Sequence, residues 1–593
     1  MSALGRGIFA QQQPLTAALE AQLAAHPGTA SQPTVVYNPY EMAPLGALVC
    51  FDTEADVVFD VRLENAAGET FLRYQSPRTK HHRLMVPGRA PGEKTRLVAT
   101  AGDGTQVDVV LDAVALDAPV SVQTQGEATE GGWLFTLPAD GAGQPVAVNA
   151  RGELLWTLSI PLNHKLHFLD NGHFLTGAPL QMAPPYSGTA LWEMDLLGCV
   201  YKEWRFEDGF IGGFEVLEDG TIVAISQAAW QGTVRDQLLW LDPASGEIVK
   251  RFGAAGILPP YGGSPGQSGS DWFQGVSLRA DRERGVLYWS SLAHGAIFEI
   301  DAETAALRRV IGPASLAEKL ADGVALCSTG EAAFREPYVG GRSGDWLYVV
   351  NANRYPDGKK QAFAPLSVVR VQLETGAVEP AFADAPALAS PLFCDLTLAA
   401  NGDALLLAGG ESDAKGLVPA ILAREQEEDI QLAAEVLLVH DGTVATRWRF
   451  DDNMIFAARW QPRALAFDAT ATGVIGHWAS SFEVDVELSV SGEGSLADEL
   501  DLHFWQDDAR LYLSGIFFKG EACVLILRQG EVKHQFFLVT NRKPYGTEWL
   551  YTYISDEKRY LNWAIPCEHL SGTWQMDLLI DDFLYHSDET VTF

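Results

Sequence analysis

Two patterns of apolar and polar positions alternate along the middle of the chain. One is a pair of short strands of period two joined by a tight turn. It reads "VAVNARGELLWTLSI" at 146–160, "ALWEMDLLGCVYKEWRF" at 190–206, "QLLWLDPASGEIVKRFG" at 237–253 and "AIFEIDAETAALRRVIG" at 296–312. It returns as "VVRVQLETGAVEPAF" at 368–382 and "VLLVHDGTVATRWRF" at 436–450. Alternation around a Gly, Asp, Asn or Thr turn predicts a β-hairpin each time.

The second pattern is a turn followed by a strand of small and apolar residues. Its copies are "LDNGHFLTG" (169–177), "LEDGTIVAIS" (217–226), "RERGVLYWSS" (282–291), "RSGDWLYVVN" (342–351), "AANGDALLLAGG" (399–410) and "DATATGVIGHW" (468–478). Six copies of each at blade-like spacing predict a six-bladed β-propeller over residues 146–482. The hairpin at 146–160 precedes the first turn-plus-strand copy, so it is free to complete the last blade and remove the open sheet edges. The innermost strands then line a central channel, and ligands bind at its mouth.

Period-two segments flank this region. Residues 33–145 predict an Ig-like β-sandwich, preceded by an extension (1–32) whose "LTAALEAQLAAH" forms a short helix. Residues 483–593, with "ARLYLSGIFFKG", "ACVLILRQG" and "WQMDLLIDDFLYH", predict a C-terminal β-sandwich. The expected fold class is all-β.

Composition narrows the partners. The chain has 593 residues and is 47% hydrophobic, and 77 acidic against 42 basic side chains give a net charge of −35. That field repels nucleic acid and anionic membranes but leaves an anionic small molecule in a local pocket open. No apolar run is long enough for a membrane span and no signal peptide is visible, which predicts a cytoplasmic protein. The six cysteines are far apart and make no CxxC pair, against a zinc site or a disulfide framework. Nucleotide and zinc-protease motifs are missing, so no cofactor and no metal are expected. The sandwiches leave room for a protein partner or a second copy.

The stretch "VVYNPYEMAPLGALVCFD" at 35–52, with Pro39-Tyr40, Ala43-Pro44-Leu45 and Ala47-Leu48-Val49, resembles the N-terminal sandwich of bacterial arylsulfate sulfotransferases that work without a nucleotide sulfate donor. The likeness continues through "GFEVLEDGTIVAIS" and "RDQLLWLDPASGEIV" to about residue 480. The C-terminal sandwich lies outside the usual pattern of that family, whose members are often periplasmic. The resemblance implies a sandwich followed by a six-bladed propeller, an aryl sulfate or phenol-like ligand, and sulfuryl transfer through a transiently sulfated histidine.

The family's reacting positions are changed here. Its central histidine corresponds to Cys394, a second to Gly212 or Gly213, and a third to Gln274, with Val276 in place of an asparagine. The family's Ser-Ser-Arg corresponds to Ser290-Ser291-Leu292, which removes an anion-holding arginine. A glutamine donates a hydrogen bond but offers no nucleophilic nitrogen, and a leucine offers nothing polar.

The remaining candidates are few. Cys394 is a thiolate nucleophile or an inert buried thiol, with Asp395 beside it. His164, seven residues before Asn171-Gly172, is a channel base or sulfuryl acceptor, or a strand histidine bonded to backbone. Gln274, Trp272, His294, Trp460 and Arg463 are candidate substrate-binding residues, the last two to stack on a ring and hold an anion. Three functions stand open: a divergent enzyme acting on an aromatic or anionic small molecule, a non-catalytic binding or scaffold propeller, and an active aryl sulfate:phenol sulfotransferase with relocated residues.

Overall fold

The computed structural model describes residues 8–117, 119–126, 132–138, 144–179, 181–182, 187–228, 233–258, 272–331, 333–353, 365–382, 388, 394–399, 403–412, 432–451, 455–460, 465, 467, 473–475, 482–495, 500, 502–506, 510–518, 520–540, 558–567 and 569–593. Among the described residues it is all-β apart from one helix, Ile8–Ala25, and short helical turns. The helix is tied down by Gln12, whose side-chain amide donates to the Val200 carbonyl (2.9 Å) and accepts from the Val200 N–H (2.6 Å).

Two sheets follow the helix. Thr34–Tyr37, Ala47–Val57 and Thr79–Val86 form one; Thr70–Gln75, Phe59–Glu64, Thr95–Ala101 and Gln106–Leu111 form the other. Val49 and Phe51 of the first and Val61, Leu97 and Ala99 of the second bury their side chains in one common core, as period-two strands do when two sheets face each other.

Among the described residues, six sheets come next, each built on four antiparallel strands, with further strands added to the first, third and fifth. Their first strands are β1 (Asn163–Phe168), β2 (Phe214–Val216), β3 (Gly275–Asp281), β4 (Pro337–Ser343), β5 (Cys394–Leu398) and β6 (Ile455–Trp460). Turns such as Asn171-Gly172 and Asp219-Gly220 start the second strands; their glycines sit at φ 85° and 87°, where a Cβ is penalised.

Each sheet packs on the next through its own apolar layer. Leu191 and Trp204 of the first meet Phe214 and Leu239 of the second. Trp240 of the second meets Leu287 and Phe298 of the third. The layer between third and fourth includes Ile297 and Val349, and that between fourth and fifth Val350 and Leu396. Leu134 of the sixth packs with Leu407 and Trp448 of the fifth, and Phe135 of the sixth with Phe174 of the first. The sheets therefore close into a ring.

Both ends of the ring depart from the sequence expectation. The sixth sheet takes β6 from late in the chain and three strands from early in it: Trp133–Pro138, Val146–Val148 and Leu154–Thr157. Val122–Gly126 is added to the outside of the fifth sheet. The chain thus passes from sandwich to ring before residue 122, not at 145. Every residue of Trp133–Pro138 is buried, which suits a strand covered on both faces. At the other end, "DATATGVIGHW" does not supply a second strand. Its described part, Gly473–Ile475, runs parallel to Val200–Phe210 on the outside of the first sheet.

The C-terminal residues build two more sheets. Phe482–Val484, Val532–Val539, Ala522–Gln529, Thr573–Ile580, Phe583–Thr592 and Gly492–Ser495 form a six-stranded one; His503–Gln506, Arg510–Phe518 and Lys558–Pro566 form its partner. They share a core that includes Leu513 and Trp563 on one side and Leu525, Phe536 and Trp574 on the other.

Candidate functional site

The first strands start in a recurrent and strained way. His164 (φ 67°), Gln274 (φ 52°) and Glu336 (φ 54°) all adopt the left-handed conformation, and Gly212 (φ 73°) does so just before β2. For a residue with a Cβ this costs about 1–2 kcal/mol, and its recurrence in three sheets marks it as a fixed way of turning the chain into the ring. Gln274 is a backbone pivot: its carbonyl accepts from the Leu292 N–H at 3.1 Å. Gly275 follows because nothing larger fits. A Cβ there would stand 2.4 Å from the Arg235 carbonyl and 2.6 Å from the Trp289 indole.

The six first strands surround a cavity of about 620 Å³, open end included. All six sheets contribute to its wall, with Lys165 from β1, Gly213 before β2, Arg279 from β3, Tyr338 from β4, Asp395 from β5 and Phe456 from β6. A chain of ion pairs crosses it. The Lys165 ammonium donates to Glu215 Oε1 (2.6 Å) and to the Phe214 carbonyl (3.0 Å). Arg279 Nη1 lies 3.8 Å from the same Glu215 oxygen. Arg279 Nη2 donates to both oxygens of Asp395, at 2.5 and 2.7 Å, and to the Leu396 carbonyl at 3.2 Å.

Two cations and two carboxylates thus neutralise one another. Burial pulls the Lys165 ammonium below its usual value, against the attraction of Glu215. Burial pushes the Glu215 carboxyl up, but Lys165 and Arg279 outweigh it and the net shift is downward.

His164 completes the wall. The Gly212 backbone N–H donates to its Nδ1 at 3.3 Å, so the neutral ring carries its proton on Nε2. Burial holds its pKa down at about 4, and Nε2 is buried without a partner. The ring packs against Phe210, centroids 4.9 Å apart. At neutral pH His164 is an uncharged hydrogen-bond donor, with its one lone pair directed at backbone.

The arylsulfotransferase (ASST) family model matches residues 113–331, which include most of the sixth sheet, the four antiparallel strands of the first, and the whole of the second and third. Over this segment the chain is similar to the arylsulfotransferase family. No curated protein matches the chain. Among solved structures, Kuenenia stuttgartiensis hydrazine synthase is similar at 12% identity and a TM-score of 0.27, over 50% of this chain and 65% of that one. A Bacteroides uniformis protein described as a 6-phosphogluconolactonase is similar at 11% and 0.30, over 69% and 100%. Kluyveromyces lactis Hsv2 is similar at 7% and 0.25, over 62% and 94%.

The cavity brings together three of the sequence-predicted residues: His164, Cys394 and Asp395. Cys394 is buried beside Leu396 and Leu406, and Asp395 is held by Arg279. Gln274 is not part of the cavity wall, whereas Val276 and Ser277 are.

Trp272 and His294, expected as substrate contacts, stand in an aromatic layer with Phe273 instead. Trp272 Nε1 donates to Asp236 (3.0 Å), and His294 Nδ1 pairs with the Ser291 hydroxyl (2.9 Å). Burial pushes the His294 pKa down to about 4. The positive φ of Gln274 redirects the chain there, so its aromatic neighbours fill a sheet–sheet interface. Trp460 ends β6, but its side chain, like all of Arg463, lies outside the described residues.

Lys165, Glu215 and Arg279 were not singled out from the sequence. A signal was present, since each is a charged residue inside a short apolar first strand: "NHKLHF", "FEV" and "GVSLRAD".

Proposed function

We propose that the ring is a six-bladed propeller that binds a small aromatic molecule in its channel and does not carry out the family's sulfuryl transfer. The carrying observation is charge balance: among the described residues, both cations of the channel wall, Lys165 and Arg279, are engaged by carboxylates. Transfer of a sulfuryl group needs a nucleophile with an available lone pair and donors left over for the sulfuryl oxygens. The histidine on the wall gives its lone pair to the Gly212 N–H, and the positions that resemble the family's reacting residues hold Cys394, Gln274 and Leu292. The apolar wall of Leu166, Val276, Leu407 and Phe456, with Tyr338, suits a ring. The His164 Nε2–H, buried without a partner, suits an acceptor oxygen on it.

The test is 4-nitrophenyl sulfate turnover with and without a phenol acceptor, beside equilibrium binding of 4-nitrophenol. Binding without acceptor-dependent release is expected. Robust release that requires the phenol would overturn the reading and make His164 the acceptor. Failure to bind either compound would leave the ring as a scaffold.

A further inference from the structure

The C-terminal sheets carry a second cluster, remote in sequence from the channel residues. Glu483 lies in the strand Phe482–Val484, His534 in Val532–Val539, and His569 in the turn after Cys567. The two strands pair antiparallel with Glu483 opposite Phe536, so Glu483 and His534 are diagonal neighbours on one face of the sheet. Phe536 is in the core, and the cluster sits at the rim of that core. The Glu483 carboxylate bridges the two rings: Oε1 is 2.5 Å from His534 Nδ1 and Oε2 is 3.2 Å from His569 Nε2. The ligand-capable atoms of all three lie within 4.8 Å of one another. Trp574 packs edge-on against His534 at 5.1 Å and limits its rotation.

We propose that Glu483, His534 and His569 bind a divalent first-row transition ion of the zinc class. Two imidazoles and one carboxylate are a donor set for zinc, copper or nickel, whereas calcium and magnesium call for oxygen-rich cages. Ligand atoms about 2.0–2.1 Å from a tetrahedral ion stand roughly 3.3 Å apart, against 2.5 Å for Glu483–His534 and 3.2 Å for Glu483–His569 here. Small side-chain rotations suffice, and the paired strands hold two of the three ligands in place. Glu483 is 41% and His569 46% exposed, so an ion reaches the cluster from solvent. Three protein ligands leave a fourth position for water.

The test is calorimetric titration of the full chain with Zn²⁺ after treatment with chelator, repeated on Glu483→Gln and His569→Ala. Both positions are exposed, and circular dichroism checks that each variant is folded. One saturable equivalent in the parent chain, lost in both variants, is expected. Co²⁺ in place of zinc is expected to give visible bands of a four-coordinate ion in the parent chain alone. The absence of saturable uptake in the parent chain would overturn the proposal. So would uptake in the variants equal to that of the parent, which would assign the metal to other histidines.

Discussion

Replacing Asp395 by asparagine takes one charge out of the channel and almost none of its volume. In the parent chain Asp395 accepts two bonds from Arg279 Nη2. Removing one partner of a fully buried ion pair costs about 3–5 kcal/mol. Here the side chains are 12% (Arg279) and 31% (Asp395) exposed, and asparagine keeps one acceptor oxygen. The expected loss is therefore about 2 kcal/mol. In a large folding unit that corresponds to a fall of about 4–8 °C in the unfolding midpoint. The guanidinium is then short of an anion, and sulfate entering the cavity is expected to bind beside it. At a hundred times its dissociation constant it would restore about 2.7 kcal/mol. Scanning calorimetry of parent and variant, in sulfate and in chloride at equal ionic strength, reads both effects. Sulfate stabilises most proteins by exclusion from their surface, so the decisive quantity is the extra rise in the variant. Equal rises in both proteins, or an unchanged midpoint in chloride, would refute the charge-balance argument.

The histidines give a pH dependence. Burial holds His164, His167 and His294 at about 4, below the ordinary 6.5. The unfolded chain therefore takes up these protons first, and the stability they contribute is complete above about 6.5 and lost as pH falls toward 4. The unfolding midpoint is expected to drop between pH 7 and 5, less steeply in His294→Gln, and a flat profile would contradict this. Gly275→Ala is expected to cost about 2 kcal/mol through collision with Arg235 and Trp289, read as a lower urea midpoint. Gln274→Gly relieves a left-handed residue and is expected to leave that midpoint level or raise it; a large fall would mean that the Gln274 side chain, not its backbone, matters.

The strands and turns were legible because each hairpin combines period-two alternation with a turn glycine. Trp133–Pro138 was misassigned because all of its residues are buried, so "WLFTLP" shows no face to mark its sheet. His164 could be placed from its offset to the next turn and Cys394 from the family resemblance, and both reach the cavity wall. The ion pairs could not be seen, because Lys165, Glu215, Arg279 and Asp395 come from four different sheets and only closure of the ring makes them neighbours. Trp272 and His294 were misread because the turn at Gln274 sends the residues around it between sheets.

The sixth sheet also sets a clock. Pro138 pairs with Ile455, about 320 residues further on, and a ribosome adding about 5–20 residues per second needs roughly 15–60 s to cover that distance. Throughout that interval Trp133–Pro138 offers an unpaired, largely apolar edge to any other nascent chain. Ring assembly then waits on one late strand, a contact of high sequence separation and slow formation. Yield in a heterologous host is thus expected to depend on chaperone capacity and growth temperature more than on the final stability of the protein.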